Sequence, residues 1–237
     1  DSVASRGLGD VYKRQALEWY FGPASSLYAT FFYKDVKDYF ANQASTQVIF
    51  GDEYLITRPS NLDEGKIRGV EVGYSQFFDF LPGFGVQANY TYVDSSGGTN
   101  AAVGVPNGSA ARAGTVELPL EGLSEHSYNV IGIYETGKFS ARLAYNWRSE
   151  YLLTSSDAIV FLPVWNDDYG QLDGSFFYNI NDNLQVGVQV NNLTNSITKL
   201  LVGPRKYLRD GHVDETLYNR SWFENDRRYS AVLRATW

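Results

Sequence analysis

Aromatic rings, carboxylates and arginines, which often contact small ligands, are concentrated in the polar segments between the apolar stretches of this chain. Aromatic faces next to carboxylates and amides suit a sugar, which they bind by stacking and hydrogen bonds. Arginines in the same segments suit an anionic ligand instead. Both ligand classes stay open on these residues alone. The candidate ligand contacts are Trp165, Asp167, Asp168, Tyr169, Arg205 and Trp222.

Catalytic and metal-binding patterns are not found in the sequence. Its two histidines, His126 and His212, stand apart from each other and from any HExxH-like spacing, which argues against a zinc site. There is no G-x-S-x-G elbow and no glycine-rich phosphate loop. The carboxylates lack EF-hand spacing, so we interpret them as a solvated acidic rim. We therefore predict a protein that is not an enzyme and uses no metal or cofactor.

Composition excludes several other classes. The chain has 237 residues, a net charge of −7 and no cysteine, so neither a nucleic-acid partner nor a disulfide framework is expected. No apolar run approaches the roughly 18 residues of a transmembrane helix. The negative mean hydropathy is compatible with a membrane β-barrel, because alternating strands dilute the hydrophobic signal.

The stretch 137–152 shows the organisation that recurs along the chain. Every second residue from Phe139 to Trp147 is apolar or aromatic, and the residues between them carry two arginines and an amide. This period of two is that of a β-strand with two different faces. The same pattern predicts nine strands, at 18–21, 27–40, 66–80, 84–95, 126–135, 138–152, 169–180, 184–192 and 227–237.

The connections between these strands alternate between short and long. Such sorting places all short turns at one end of a sheet and all long loops at the other, as in outer-membrane barrels. The pattern therefore predicts an all-β fold, part of a transmembrane antiparallel up-and-down β-barrel, in preference to a soluble β-domain. The short connections are 22–26, 81–83, 136–137 and 181–183, and the long ones are 41–65, 96–123, 153–168 and 193–223.

Alternation also predicts which side chains face lipid and which face the barrel lumen. A charge facing lipid near the bilayer midplane would cost about 2–4 kcal/mol, so we expect the Phe139–Trp147 face to contact lipid. Tyr145, Trp147 and Tyr151 would then lie in an aromatic girdle. The predicted lumen-facing residues are Glu71, Gln87, Asn89, Arg142, Asn146, Arg148 and Gln189.

Residues 1–15 show no strand or helix period and resemble adaptor sequence translated at the ends of contigs. We predict a non-native or disordered leader over 1–15 and the barrel over 16–237. The chain lacks methionine and a recognisable signal peptide, so we also expect it to be a piece of a longer protein.

Four segments stand out by their sequence and order: GVEVGY at 69–74, the hairpin at 126–152, NNLTN at 191–195 and the terminal RRYSAVLRATW at 227–237. Together they resemble the C-terminal barrel strands of TonB-dependent outer-membrane receptors. The resemblance implies a barrel of about 22 strands, filled by a plug that contacts the TonB complex. The plug and the remaining strands would lie outside this chain. It also implies that Tyr229, Leu233 and Trp237 form the signal read by the barrel assembly machinery.

The resemblance further implies a location in the outer membrane of a Gram-negative bacterium, in contact with its lipid. The expected function is TonB-dependent active uptake of a scarce small-molecule nutrient. An oligosaccharide is slightly favoured over a ferric siderophore, because the hairpins look like those of carbohydrate-uptake receptors. The alternative is a passive porin or sugar channel.

Overall fold

The computed structural model describes residues 11–97, 100–102, 115–155, 157, 159, 162–203, 207–209, 212–214 and 216–236. Across these residues, no helix is long and apolar enough to span a membrane. The strands are β1 (Val11–Gly22), β2 (Ser25–Ile49), β3 (Asp52–Phe77), β4 (Phe84–Ser96), β5 (Asn100–Ala102), β6 (Thr115–Glu117), β7 (His126–Glu135), β8 (Phe139–Arg148), β9 (Tyr151–Thr154), β10 (Val164–Asn166), β11 (Tyr169–Asn181), β12 (Leu184–Asn191), β13 (Ile197–Val202), β14 (Tyr207–Arg209), β15 (His212–Asp214), β16 (Tyr218–Glu224) and β17 (Arg228–Ala235).

Nine of these strands form one antiparallel sheet in the order β1-β2-β3-β4-β7-β8-β11-β12-β17. Each strand therefore pairs with the next one of the set along the chain. The predicted all-β class and up-and-down order of nine strands are confirmed. β1 and β17 lie at the two ends of the order, so the sheet is part of a barrel that this chain does not close.

The register gives this sheet one apolar face that crosses all nine strands. Directly paired residues point to the same side, and each second residue along a strand returns to that side. The apolar side chains are largely exposed; Leu143 is 54% exposed and Leu233 is 71% exposed. One residue of this face from each strand is, in chain order, Leu17, Phe31, Val72, Tyr90, Val130, Leu143, Phe176, Val188 and Leu233.

The opposite face is polar, and the register places all seven predicted lumen-facing residues on it. Glu71 shares this face with Thr91, which pairs with Ser127, and Ser127 pairs with Arg148. Continuing across the sheet, Ser175 pairs with Gln189. A one-residue slip in any strand would move its whole polar set to the apolar side. We call these two surfaces the polar face and the apolar face.

The prediction that residues 41–65 form a long connection is wrong. β2 and β3 continue to pair as far as Ile49 and Asp52. Phe50 and Gly51 make the turn, with φ angles of 53° and 92°, the combination that a two-residue type I′ hairpin turn needs. Polar composition made this hairpin look like a loop, whereas cross-strand pairing keeps it extended.

Two further predicted loops, 153–168 and 193–223, also contain strands. Four of these strands form a second antiparallel sheet, here called the rim sheet, in the order β16-β13-β10-β9, while β14 and β15 pair with each other. Its strands continue β17, β12, β11 and β8 beyond short breaks, so the rim sheet repeats the neighbour order of the main sheet. The predicted strand 138–152 is accordingly interrupted at 149–150. The strands are short, and this hides their period in the sequence.

The first strand begins inside the predicted leader. Val11 pairs with Asp35 and Gln15 pairs with Phe31, so residues 11–15 extend the sheet. Residues 1–10 lie outside the described part of the chain. Whether residues 1–15 are native stays a prediction.

Candidate functional site

Four neutral amide side chains form one continuous row across the polar face. Asn89 on β4 pairs with Asn129 on β7, which pairs with Asn146 on β8, which pairs with Gln171 on β11. Their side chains share a face because directly opposed residues of paired strands point the same way. We call this set the amide row. Only two of its members were predicted from the sequence as lumen-facing; Asn129 and Gln171 required the register.

Next to the amide row, on the side of the long connections, the polar face carries a cation and two tyrosines. Arg148 pairs with Tyr169 across β8 and β11. Its guanidinium lies 4.6 Å from the ring centre of Tyr151 and donates a 3.2 Å hydrogen bond to the Tyr151 hydroxyl. This combination of stacking and hydrogen bonding holds the guanidinium in place. Tyr151 therefore belongs with Arg148 on the polar face, and its prediction as a girdle residue is wrong.

A chain of hydrogen bonds fixes the β11 end of the amide row. The Tyr169 hydroxyl donates to Gln171 Oε1 at 2.6 Å, and Gln171 Nε2 donates to Asp173 Oδ1 at 2.7 Å. The same Asp173 oxygen accepts the backbone N–H of Asn192 at 2.8 Å. The carboxylate is thus engaged by protein donors, and the amide of Gln171 is held in one orientation.

Among the residues that the structure describes, two cavities open onto the polar face, and Asn146 lines both. The upper cavity, nearer the long connections, has a volume of about 480 Å³ and includes Asn89, Thr91, Asn129, Arg148 and Tyr169 in its lining. The lower cavity, of about 360 Å³, is lined by Arg142, Asp173, Ser175, Gln189 and Asn191 among others. Each volume is in the range of a small-molecule site.

Elsewhere on the polar face, aromatic rings cover glycines of the neighbouring strand. A Cβ atom at Gly69 would overlap the ring of Phe32, and one at Gly73 would overlap the ring of Tyr28. Phe177 covers Gly187 in the same way. These glycines are therefore required by close ring packing, which explains the glycine alternation in GVEVGY.

The predicted ligand contact Trp165 lies in the core of the rim sheet. It is 5% exposed and packs with Leu118 and Leu152. Its indole N–H donates to the carbonyl of Gly203 at 2.9 Å. Both the ring and its polar group are therefore used within the fold. A direct ligand contact from Trp165 stays a prediction, and its burial argues against it.

The neighbouring predicted contacts point in different directions. Asp167 Oδ2 lies 3.8 Å from Lys199 Nζ, in the break between β10 and β11. Asp168 Oδ2 accepts the indole N–H of Trp147 at 3.2 Å, on the side of the apolar face. Tyr169 lines the upper cavity of the polar face. These three consecutive residues do not form one cluster.

The remaining predicted contacts are Trp222 and Arg205. Trp222 is 65% exposed on β16, the edge strand of the rim sheet, opposite Lys199. Arg205 lies outside the described residues. A nearby arginine, Arg220, makes a 2.6 Å ion pair with Asp157, which ties β16 to the 155–162 connection. Ligand binding by Trp222 and Arg205 stays a prediction.

The NNLTN segment is a structural junction centred on Asn192. This residue is 3% exposed and has a φ of 55°, a conformation that asparagine adopts more readily than most residues. Its side chain accepts the N–H of Ser196 at 2.7 Å and donates to the carbonyls of Ser196 and Asn225. The junction therefore joins the end of β12 to the start of β17.

Aromatic residues cluster on the apolar face at the end that carries the long connections. Tyr128 stacks on Trp147 with ring centres 5.2 Å apart, and it also contacts Tyr145. The hydroxyl of Tyr90 lies 2.7 Å from His126 Nδ1. Of the predicted girdle, Tyr145 and Trp147 are in this cluster.

The predicted assembly signal is partly described. Tyr229 and Leu233 lie on the apolar face of the edge strand β17, where both are exposed. Trp237 lies outside the described residues. Their recognition by the assembly machinery stays a prediction. Among the residues whose side chains the structure describes, no group of three or more histidine, cysteine or acidic residues could hold a metal ion.

The family model described as TonB dependent receptor-like, beta-barrel matches residues 13–193. The chain belongs to this family. The resemblance carried by the strand motifs is therefore confirmed. No curated protein sequence matches the chain significantly.

Solved structures of similar fold include two receptors and a transporter. The siderophore receptor PiuA from Acinetobacter baumannii aligns with a TM-score of 0.61 and 15% identity, over 95% of this receptor chain and 28% of its own. A mutant of the ferric enterobactin receptor PfeA from Pseudomonas aeruginosa aligns with a TM-score of 0.55 and 15% identity, over 96% and 31%. The copper transporter OprC gives 0.53 and 14%, over 95% and 31%.

These likenesses concern the fold, since their identity is low. The receptor chain spans less than a third of the length of these solved structures. Its polar and apolar faces correspond to the two sides that a barrel wall needs.

Proposed function

We propose that the chain is the C-terminal wall of an outer-membrane receptor that takes up a scarce nutrient by TonB-dependent transport. The observation that carries this proposal is the continuous pair of faces across nine strands. An exposed apolar face of this extent suits lipid, since the outer surface of a membrane barrel is apolar. Closure of the barrel would also pair every backbone group within the sheet. The polar face then lines the lumen.

In this proposal, the plug and the remaining strands belong to parts of the receptor beyond residues 1–237. The free edges of β1 and β17 would pair with those strands, since unpaired backbone groups are costly in lipid. The barrel assembly machinery would insert the complete barrel through β17. The wall binds and guides a ligand and carries out no chemistry on it.

An oligosaccharide is the ligand we favour, with a ferric siderophore as the alternative. The structural relatives named above do not support the oligosaccharide, since they are receptors for a siderophore and ferric enterobactin and a copper transporter. Support comes instead from the neutral character of the amide row. A passive sugar channel would use the same wall without an energy source.

The test uses the complete receptor in its own bacterium. Membrane fractionation should recover it in the outer membrane in a heat-modifiable form. Uptake of neutral oligosaccharides and of ferric enterobactin is then measured in cells with and without the receptor and with and without TonB. Accumulation that needs both proteins is expected. Accumulation that needs the receptor but persists without TonB would show a passive channel.

A further inference from the structure

The amide row presents repeated neutral hydrogen-bonding groups at regular spacing. Adjacent strands lie about 4.8 Å apart, so Asn89, Asn129, Asn146 and Gln171 recur at that interval across the wall. An amide offers both a donor and an acceptor. A row of amides therefore matches a ligand that carries many hydroxyl groups, each of which can donate and accept.

One member of the row has a hydrogen-bonding atom without a partner. Asn129 Oδ1 is buried and accepts no hydrogen bond from the described residues. Buried polar atoms are almost always satisfied by a partner, and leaving one unpaired costs about 1–3 kcal/mol. Asn129 lines the upper cavity, but this oxygen has almost no accessible surface, so a rotation of the amide would be needed to bring it to a donor bound in the cavity.

Two of the charged residues beside the row have partners within the protein. Arg148 is held by the ring and hydroxyl of Tyr151. Asp173 accepts hydrogen bonds from Gln171 and from the backbone of Asn192. Arg142 on β8 lines the lower cavity, and Arg228 and Arg234 lie on the polar face of β17. A highly anionic chelate is recognised by clustered cations, whereas Arg142 lies three strands away from these two arginines and the amide row itself is neutral.

We propose that the amide row is the contact surface for a neutral oligosaccharide, with Asn129 and Asn146 as its central hydrogen-bonding residues. Tyr169 borders the row and offers an aromatic edge to a sugar ring. The half of the ligand nearest the long connections lies in the upper cavity, and its continuation reaches Ser175 and Gln189 in the lower one. The inference rests on the proposed function and names the residues that would contact the favoured ligand.

The test measures binding by the purified complete receptor. The probes are an immobilised array of neutral and uronic-acid-containing oligosaccharides, and ferric enterobactin followed by fluorescence quenching. Asn129→Ala and Asn146→Ala should each weaken binding of a neutral oligosaccharide by about tenfold, the effect of losing one neutral hydrogen bond. Asn146→Ser serves as a second variant that keeps a polar group of smaller size.

Gln87→Ala is the matched control. Gln87 lies on the same strand and the same face as Asn89, and neither cavity has it in its lining. Its substitution should leave the affinity for the oligosaccharide unchanged. Absence of binding to every neutral oligosaccharide, or equal affinities for the Asn129, Asn146 and Gln87 variants, would overturn the inference.

Failure of this inference is distinguishable from failure of the proposed function. If ferric enterobactin alone binds and accumulates only with TonB, the transport proposal stands and the oligosaccharide contact is overturned. If a neutral oligosaccharide binds through the amide row but enters equally well without TonB, the contact stands and active transport is contradicted.

Discussion

The β2–β3 hairpin and the rim sheet both extend the main sheet at the end of the long connections, but by different means. The hairpin continues two strands without a break from Asp35 and Lys66 to its turn at Phe50 and Gly51. At about 3.3 Å per residue, this extension reaches about 45 Å. The rim sheet instead breaks four strands and re-forms them around a small core. The difference shows that backbone pairing alone can extend a sheet, whereas the small core is found where the strands are broken and paired again.

Burial separates the two regions clearly. The described apolar residues near the tip of the hairpin are exposed, and Phe50 is fully so. In the rim sheet, Leu152 and Val164 are at most 1% exposed, and Leu118, which packs against Leu152, is 2% exposed. Since apolar stabilisation scales with the area removed from water, substitutions should have unequal effects in the two regions. The following predictions use the complete receptor.

The largest effect is expected for Trp165→Ala. Removing a buried tryptophan leaves a cavity and an unpaired carbonyl at Gly203, and such changes typically cost about 3–5 kcal/mol. Hydrogen exchange of the β10 and β13 amides should accelerate accordingly, while exchange in the main sheet is unchanged. Trp222→Ala, at an exposed position of the same sheet, is the control and should change exchange little. Equal effects of the two variants would contradict a core centred on Trp165.

A pair of valines tests the comparison of the rim sheet with the hairpin, because the same substitution can be made in both. Val164→Ala removes methyl groups from a site that is 1% exposed and should cost about 1.5–3 kcal/mol. Val48→Ala removes them from a site that is 68% exposed and should stay within about 0.5 kcal/mol. Hydrogen exchange measured locally in each region gives both values. A costly Val48→Ala would show that something covers the hairpin.

Asn192 tests the junction that the rim sheet has and the hairpin lacks. Asn192→Ala should cost about 2 kcal/mol, because it removes several hydrogen bonds and forces alanine into a left-handed conformation. Asn192→Gly keeps that conformation accessible and should recover about half of the loss. Limited proteolysis of the 193–196 segment reports the opening. Identical cleavage rates for both variants would remove the conformational part of the explanation.

The smallest effect is expected at the turn of the hairpin. Gly51 has a φ of 92°, so Gly51→Ala should destabilise the tip by about 1–2 kcal/mol without affecting the rim sheet. Gly137→Ala, in a turn without this conformation, is the control. Amide exchange near Ile49 and Asp52 measures the difference. If both variants behave alike, the left-handed turn does not limit the stability of the hairpin.

Much of the main sheet could be predicted from the sequence because its strands alternate without interruption. The period of two in 184–191 and 126–135 locates β12 and β7 and assigns their faces. The same reasoning placed Asn89 and Asn146 correctly on one face. It missed their partners Asn129 and Gln171, since only the pairing register shows which residues of separate strands lie side by side.

The rim and its contacts could not be predicted for a different reason. β10 has three residues, too few for a period to be recognised. Trp165 looked like a ligand contact because aromatic residues in a polar segment serve both purposes, and the sequence does not show that Leu118 and Leu152 cover its ring. Likewise, Asp168 and Tyr169 are adjacent in sequence, but their side chains lie on opposite faces of the sheet.

The unbroken register across nine strands has a consequence for how such a wall can change during evolution. A single-residue insertion in the middle of a strand turns every following side chain of that strand over, so that arginines and amides exchange places with leucines and tyrosines. Insertions of two residues conserve the two sides, and insertions in the long connections leave the strands untouched. Natural length variation in this lineage should therefore be confined to the long connections, or occur in even steps within the strands.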